Sequence, residues 1–192
     1  AVYDGKYPLL CADRYIIAEK VVEIARKEKA QAVAHGSTAM GNDQIRFDSA
    51  FGSLAPEMKI ISPIKEAALS RAQEAAFLVE NSYTVENKSK RYSVNENIMG
   101  ITVSGSEIDA YEEPAADAYT LTRQTETKPN KITVTFEQGI PTKIDQKKMD
   151  GALILKMLNQ TIGSYGWGSD IYTGNCIIGI KGRIMFEAPG LL

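Results

Sequence analysis

The sequence has few of the residues that build metal sites and disulfide frameworks. Its 192 residues include two cysteines, Cys11 and Cys176, and one histidine, His35. Neither cysteine has a histidine or a second cysteine nearby, so the spacing fits neither a zinc site nor a secreted disulfide scaffold. We therefore predict no metal site in this chain. Two free thiols in a reducing cytoplasm are favoured over the alternative, a single disulfide.

The sequence also lacks a large excess of either positive or negative charge, and it has no long apolar run. The formal net charge of −2 provides no basic surface for nucleic acid or for an anionic membrane. No apolar run approaches the roughly 20 residues that span a bilayer. We therefore expect neither nucleic acid nor a membrane as a partner. With 44% hydrophobic and 24% charged residues, the composition is that of an ordinary globular protein.

The first 64 residues alternate between helix and strand patterns. Ile17, Val21 and Ile24 recur at helical spacing within a predicted helix over residues 14–28. A predicted strand at 30–34, an amphipathic stretch at 44–51 and a strand at 58–64 follow. This order is typical of a parallel α/β sheet, but two strands are too few for a sheet covered on both faces. Residues 1–64 are therefore predicted to be part of an α/β domain whose other strands precede residue 1.

After residue 64 the pattern changes to that of an α+β domain, predicted to occupy residues 65–192. Residues 131–137 alternate between apolar and polar types, and Gln138-Gly139 forms a turn into a return strand. The predicted elements are a helix at 67–80, strands at 131–137 and 140–144, a helix at 153–158 and a strand at 176–182.

A polar turn joins the first predicted strand to the following helix. The carboxyl end of a strand is where ligands bind in open α/β sheets, and backbone N–H groups between Gly36 and Gly41 are suited to an anion there. Asp43 offers an acceptor for an ammonium group, and Arg46 shares a helix face with Asn42. Because an α-amino acid carries both charges, this pattern indicates an amino-acid site.

A simpler interpretation of the same turn stays open on spacing alone. The glycines would serve only to turn the chain, Asn42 or Asp43 would cap the helix, and Arg46 would be solvated. That interpretation explains the glycines, but it leaves the cluster of polar residue types unexplained.

The run AHGSTAMGNDQIRF at residues 34–47 resembles the signature of argininosuccinate synthases. In that family a His-Gly-x-Thr turn precedes Gly-Asn-Asp-Gln and an Arg-Phe pair. Further similarity covers essentially the whole chain, at residues 3–9, 54–56, 60–63, 92–100, 179–183 and 186–189. The resemblance implies that residues 1–64 are the remnant of a parallel-sheet nucleotide-binding domain of the ATP pyrophosphatase type. An α+β synthetase domain would follow at residues 65–192.

The resemblance also implies an ATP-dependent C–N ligase of arginine biosynthesis. The citrulline ureido oxygen attacks the ATP α-phosphate, which gives citrullyl-AMP and pyrophosphate, and the aspartate amine then displaces AMP. No side chain has to be a strong base, so positioning and charge stabilisation carry most of the rate. ATP is expected as its Mg complex, with no protein metal site in this chain. The family implies a cytoplasmic homotetramer.

The family's site residues fall on matching positions of this sequence. Asp43 and Arg46 would be the catalytic pair. The binding positions implied are Gly36 for ATP, Thr38, Asn42 and Asp43 for aspartate, and Tyr7, Asn42, Arg46, Ser93, Thr102 and Phe186 for citrulline.

Four positions depart from the commonest family pattern. Gly174 stands where a citrulline-binding Glu is common and Phe186 where a Tyr is common, so two polar contacts are lost. Cys11 replaces a Ser or Thr, and Thr102 replaces a Ser and keeps its hydroxyl. We interpret these changes as those of a subgroup that retains function.

Two family segments have no counterpart in the 192 residues: the Ser-Gly-Gly-x-Asp loop that binds pyrophosphate and the C-terminal helical tail used in tetramers. We therefore expect that this chain alone does not turn over ATP. One alternative is a non-catalytic amino-acid-binding relative. Another is a different adenylating enzyme of the ATP pyrophosphatase type.

Overall fold

A computed structural model describes residues 2–3, 7–8, 10–39, 41–85, 91–175 and 181–192. These residues form two compact units. The parallel-strand unit holds the described residues from 11 to 85, and the antiparallel unit holds those up to residue 10 and from residue 91 onward. The domain boundary predicted after residue 64 stays a prediction, although residues 65–85 lie in the compact unit of the parallel strands.

The described residues contain five α-helices, numbered in chain order: α1 Asp13–Lys27, α2 Asn42–Leu54, α3 Pro63–Ala67, α4 Arg71–Glu80 and α5 Gly151–Gly163. They also contain eleven β-strands: β1 Val2–Tyr3, β2 Tyr7–Pro8, β3 Ala32–Ala34, β4 Lys59–Ile61, β5 Ser93–Asn97, β6 Gly100–Ser104, β7 Val134–Glu137, β8 Ile140–Ile144, β9 Lys147–Lys148, β10 Ser169–Asn175 and β11 Lys181–Glu187. None of these helices has the length and apolar character needed to cross a membrane.

In the parallel-strand unit, β3 and β4 pair in parallel, with Val33 opposite Ile60. Helices α1 and α2 pack together beside these strands, so the predicted helix–strand alternation is confirmed. The buried core consists of Ala18, Val22, Ala25, Val33, Ala50, Phe51 and Ala55. Its α1 members again recur at spacings of four and three, as a core-facing stripe requires.

The buried face predicted for α1 is wrong: the residues that face the core come one position after the predicted ones. Ile17 and Ile24 are 45% and 59% exposed, whereas the neighbouring Ala18 and Ala25 are buried. Small side chains at the interface allow the helix to approach its neighbours closely. The correct face was therefore marked by alanines, which an apolar pattern based on large residues does not detect.

The single helix predicted over 67–80 is also wrong, because the chain forms two helices there. Ala68 adopts a left-handed conformation with φ +47° and ends α3. Ser70 then caps α4 in a capping box, in which its side chain accepts from the Gln73 N–H and the Gln73 side chain accepts from the Ser70 N–H. A Ser-x-x-Gln pair inside an apparently continuous helical pattern is thus the start of a new helix.

The antiparallel unit contains a four-stranded sheet in the order β10-β11-β6-β5. One face of the sheet contributes Ile101, Val103 and Met185 to a core completed by Ile108 and Ala118. The other face carries Phe186, which lies opposite Thr102 in the register. This division into a core face and a second face determines which side chains are available to a ligand.

A hairpin and α5 complete the antiparallel unit. Strands β7 and β8 pair across Gln138 and Gly139, whose φ angles of +50° and +81° suit a two-residue turn, as predicted. Ile144 of β8 packs against Ile154 and Leu158 of α5. The helix predicted at 153–158 is longer than expected. Of the strand predicted at 176–182, residues 176–180 lie outside the described residues.

Candidate functional site

His35 ties the polar turn to helix α2. Its backbone N–H donates to the Ile61 carbonyl oxygen over 3.1 Å, which extends the parallel ladder by one residue. Its side chain is 5% exposed. Nδ1 accepts from the Ser37 N–H at 3.2 Å, so Nε2 carries the ring proton and donates to Asp48 Oδ1 at 2.8 Å. His35 therefore has a structural role at the strand end.

The carboxylate of Asp48 accepts hydrogen bonds from three side chains near the polar turn. Besides His35, the side chains of Gln44 and Lys65 donate to Oδ2, with Lys65 Nζ at 2.7 Å. Burial raises the pKa of the Asp48 carboxyl, but the hydrogen bonds from Lys65, His35 and Gln44 outweigh it and lower the pKa below its usual value. The ionised carboxylate thus holds the strand end, α2 and α3 in a fixed arrangement.

Gly41 is the N-cap of α2, with φ −97° and ψ 148°. Its N–H donates to the Thr38 carbonyl oxygen at 3.2 Å, which closes the turn. The expectation that Asn42 or Asp43 caps the helix is wrong, since α2 begins at Asn42 and has no side-chain cap hydrogen bond. The side chains of the first helical turn are therefore not used for capping.

Asn42 has a buried acceptor without a partner. Within the described part of the chain, its Oδ1 is buried and accepts no hydrogen bond. Leaving such a group unsatisfied costs about 1–3 kcal/mol, so native proteins rarely retain one without a reason. A ligand that brings a donor to the start of α2 would satisfy it.

Asp43 lies beside Asn42 and is held by two arginines. Arg46 Nη1 donates to Oδ1 at 2.7 Å, and Arg14 donates to Oδ2 through Nε at 3.1 Å and Nη2 at 2.9 Å. A carboxylate has about four lone-pair positions, so Oδ1 retains room for a further donor. The side chain is 34% exposed, which leaves it within reach of a small ligand.

Arg14 is a candidate site residue that the sequence reasoning missed. It bridges Asp43 and Asp13, with Nη1 2.9 Å and 2.8 Å from the two Asp13 oxygens. Burial lowers the pKa of Arg14, but bonds to Asp43 and Asp13 outweigh it and raise the pKa above its ordinary value. A signal was present in the sequence: a positive charge in the first turn of α1 opposes the helix dipole and so requires a nearby anion.

Cys11 lies close enough to this charged group to respond to it. Burial raises the pKa of the Cys11 thiol, and the positive charge of Arg46 only partly opposes the shift. The Cys11 side chain is therefore a protonated thiol at neutral pH and not an activated nucleophile. Cys11 is free, as predicted, and Cys176 lies outside the described residues.

The remaining predicted residues of the turn are exposed. A Cβ placed on Gly36 would meet nothing within 4 Å, so its backbone is open to a ligand. Thr38 is also exposed. Among the described residues, no group of three or more His, Cys, Asp and Glu side chains is placed to hold a metal ion.

A second group of predicted residues lies on one face of the antiparallel sheet. Residues paired across neighbouring strands point to the same side. Phe186 pairs with Thr102, Thr102 pairs with Asn95, and Ser93 lies two residues before Asn95. Ser93, Thr102 and Phe186 therefore share the face opposite the core. The side chain of Tyr7, a residue of β2, lies outside the described part of the chain.

Phe186 forms the apolar floor of this sheet face. It is 1% exposed and packs with Leu10 and Ala188, and Met99 and Tyr172 lie against this cluster. Ser93 is exposed and Thr102 half-buried. The arrangement offers hydroxyl groups beside a buried aromatic ring, and the individual substrate roles of these residues stay predictions.

The fold and these two polar groups define an α/β protein of the parallel-sheet, ligand-binding class, followed by an antiparallel α+β unit. Residues 1–84 match the family model described as the arginosuccinate synthase N-terminal HUP domain, and residues 92–192 match the arginosuccinate synthase C-terminal domain. The chain therefore belongs to the argininosuccinate synthase family. The predicted fold class, a parallel-sheet α/β domain followed by an α+β domain, is confirmed.

Several similar proteins bear the name argininosuccinate synthase. The protein of Xanthomonas campestris pv. campestris is 42% identical over 197 residues, which cover 99% of this chain and 49% of the relative. Those of Sulfurisphaera tokodaii and Hyperthermus butylicus are 40% and 42% identical, and each alignment covers 100% of this chain and 50% of the relative. The chain thus spans about half the length of the curated relatives it matches.

Proposed function

We propose that this chain supplies the amino-acid-binding half of an argininosuccinate synthase. The reaction is the ATP-dependent ligation of citrulline and aspartate through citrullyl-AMP, giving argininosuccinate, AMP and pyrophosphate. The observation that carries the proposal is the buried, unpartnered Oδ1 of Asn42 beside the arginine-held Asp43, in the turn that matches the family signature.

The turn at the start of α2 is proposed to hold aspartate. Asn42 Oδ1 and the remaining position on Asp43 Oδ1 are acceptors suited to an ammonium group. Thr38 supplies a hydroxyl, and backbone N–H groups at the helix start favour a carboxylate. Arg14 and Arg46 fix the Asp43 carboxylate from two sides, so this carboxylate needs little reorganisation when the amino acid binds. A local shift has to expose the buried Asn42 oxygen to the ligand.

The face of the antiparallel sheet opposite the core is proposed to bind citrulline through the hydroxyls of Ser93 and Thr102, beside the buried ring of Phe186. Contacts from Tyr7, Asn42 and Arg46 belong to the same proposal. In the reaction, the ureido oxygen forms a bond to the α-phosphorus and pyrophosphate leaves. The aspartate amine then bonds to the ureido carbon, AMP leaves, and the amine proton is lost. Holding these groups in line supplies much of the acceleration.

ATP is proposed to approach the exposed backbone at Gly36, where no side chain obstructs it. It would enter as its magnesium complex, with the metal held by phosphate oxygens. Asp43 and Arg46 are the residues proposed to act at the reacting groups. A cytoplasmic location and a homotetrameric assembly are part of the same proposal.

Calorimetric titration with aspartate tests the first half of the proposal. The 192-residue chain should bind aspartate, and Asp43→Asn should weaken binding by at least about tenfold, because a hydrogen bond to a charged group is lost. Glu80→Gln removes the same charge from an exposed position in the same unit and should bind as the unmodified chain does. Equal affinity in the Asp43→Asn variant would remove Asp43 from the site.

The second half is tested by pyrophosphate release with ATP, citrulline and aspartate. The chain is mixed with a separately made segment of a relative that bears the Ser-Gly-Gly loop. Release should require both pieces and both amino acids, and the chain alone should release none. A mixture that is folded and associated yet silent would favour a non-catalytic amino-acid-binding protein.

A further inference from the structure

Tyr172 occupies the space above Gly174. The two residues are two positions apart on β10, so they face the same side of the sheet. A Cβ built on Gly174 would lie 2.2 Å from the Tyr172 hydroxyl oxygen and 2.4 Å from Cζ. Both distances are far below van der Waals contact. A side chain at position 174 and the observed placement of the Tyr172 phenol therefore exclude each other.

The register puts this phenol on the sheet face that carries Thr102. Tyr172 pairs with Ile184, which lies two residues before Phe186, and Phe186 pairs with Thr102. Tyr172 is half-buried and packs against the cluster that contains Phe186. Its hydroxyl therefore extends the row of hydroxyl groups on this face beyond Phe186, whose ring has no polar atom.

We propose that Tyr172 is a substrate-contacting, specificity-determining residue whose hydroxyl hydrogen-bonds citrulline at the place that a side chain on residue 174 would otherwise occupy. This inference rests on the proposed function, since it assumes that citrulline binds this sheet face. A phenol hydroxyl both donates and accepts one hydrogen bond, which suits a neutral ureido group with its carbonyl oxygen and N–H donors. A carboxylate at position 174 would offer acceptors only.

Two variants remove the hydroxyl from this place by different routes. Tyr172→Phe deletes it and leaves the ring. Gly174→Ala keeps it in the chain but displaces it, because the new methyl group meets the far end of the Tyr172 side chain, which can rotate away. Thr173→Ala is the matched control, since Thr173 is exposed on the same strand and points to the opposite face.

Calorimetric titration of the 192-residue chain with citrulline, and separately with aspartate, decides the matter. Tyr172→Phe should weaken citrulline binding by roughly three- to tenfold, as expected for a hydrogen bond between neutral groups. Gly174→Ala should weaken it at least as much. Both variants should keep the aspartate affinity and the far-ultraviolet circular dichroism of the unmodified chain, and Thr173→Ala should change neither affinity.

Two results would overturn the inference. One of them leaves the proposed function intact, and the other also removes the proposed citrulline site. If the unmodified chain binds citrulline and Tyr172→Phe binds it equally well, Tyr172 is not a contact and the proposed function stands. If the folded, unmodified chain binds no citrulline at all, the inference and the proposed citrulline site fail together. Should Gly174→Ala fail to fold, the comparison of Tyr172→Phe with Thr173→Ala still gives the answer.

Discussion

Replacing Asn42 by alanine is expected to separate stability from binding. In most positions the loss of a buried side chain destabilises a protein, but Asn42 Oδ1 is buried and accepts no hydrogen bond from any residue that the structure describes. Removing an unsatisfied acceptor relieves a cost of about 1–3 kcal/mol. Alanine also has a helix propensity up to about 0.7 kcal/mol better than asparagine, although the effect is smaller at the first residue of α2. The amide's lost packing contacts offset part of both gains.

The free energy of unfolding should therefore rise by about 1 kcal/mol in the Asn42→Ala variant. For a chain of this length, that change corresponds to an increase of roughly 2–4 °C in Tm. Hydrogen exchange of the α2 amides should slow as well, since it reports local stability in the parallel-strand unit. Aspartate affinity should fall by about ten- to a hundredfold, because the lost acceptor would bond a charged ammonium group.

The control for this experiment lies on the same helix. Ser49→Ala changes an exposed residue of α2 and should leave the aspartate affinity unchanged. A decrease in Tm of more than about 2 °C in Asn42→Ala would show that Oδ1 makes a stabilising bond within the protein. Undiminished aspartate affinity would show that the acceptor is not used by this ligand.

Two further predictions concern carboxylates that hold each unit together. Glu187 is fully buried and accepts five hydrogen bonds from residues 120–122, so Glu187→Gln should destabilise the antiparallel unit by more than about 3 kcal/mol, measured by urea unfolding. Unfolding within about 1 kcal/mol of the unmodified chain would contradict this anchoring role. Because the pKa of Asp48 is lowered in the folded state, its stabilising contribution is complete above the unfolded pKa of about 3.9 and is lost as the pH falls through the folded value. Asp48→Asn should therefore flatten the acid limb of the stability curve below about pH 4, and an unchanged acid limb would refute the assignment.

The local sequence pattern predicts a structural feature correctly where residues close in sequence are also the ones in contact. The turn after β3 and the hairpin of β7 and β8 both follow from residue types within a few positions. The simpler interpretation of the turn places the N-cap of α2 at Asn42 or Asp43, but Gly41 satisfies the cap geometry without a side chain. The break at Ala68 was missed, because a helical pattern on both sides concealed the capping box at Ser70.

The sequence by itself determined the family, the alternation of helix and strand, and the polar turn at the strand end. Only the tertiary structure paired Arg14 with Asp43, 29 residues apart, and left the Asn42 oxygen without a partner among the described residues. Only the sheet register placed Tyr172 on the face of Thr102, above Gly174. The physical reason is that helices, strands and turns follow from local backbone preferences, whereas long-range ion pairs and strand register depend on how the whole unit packs.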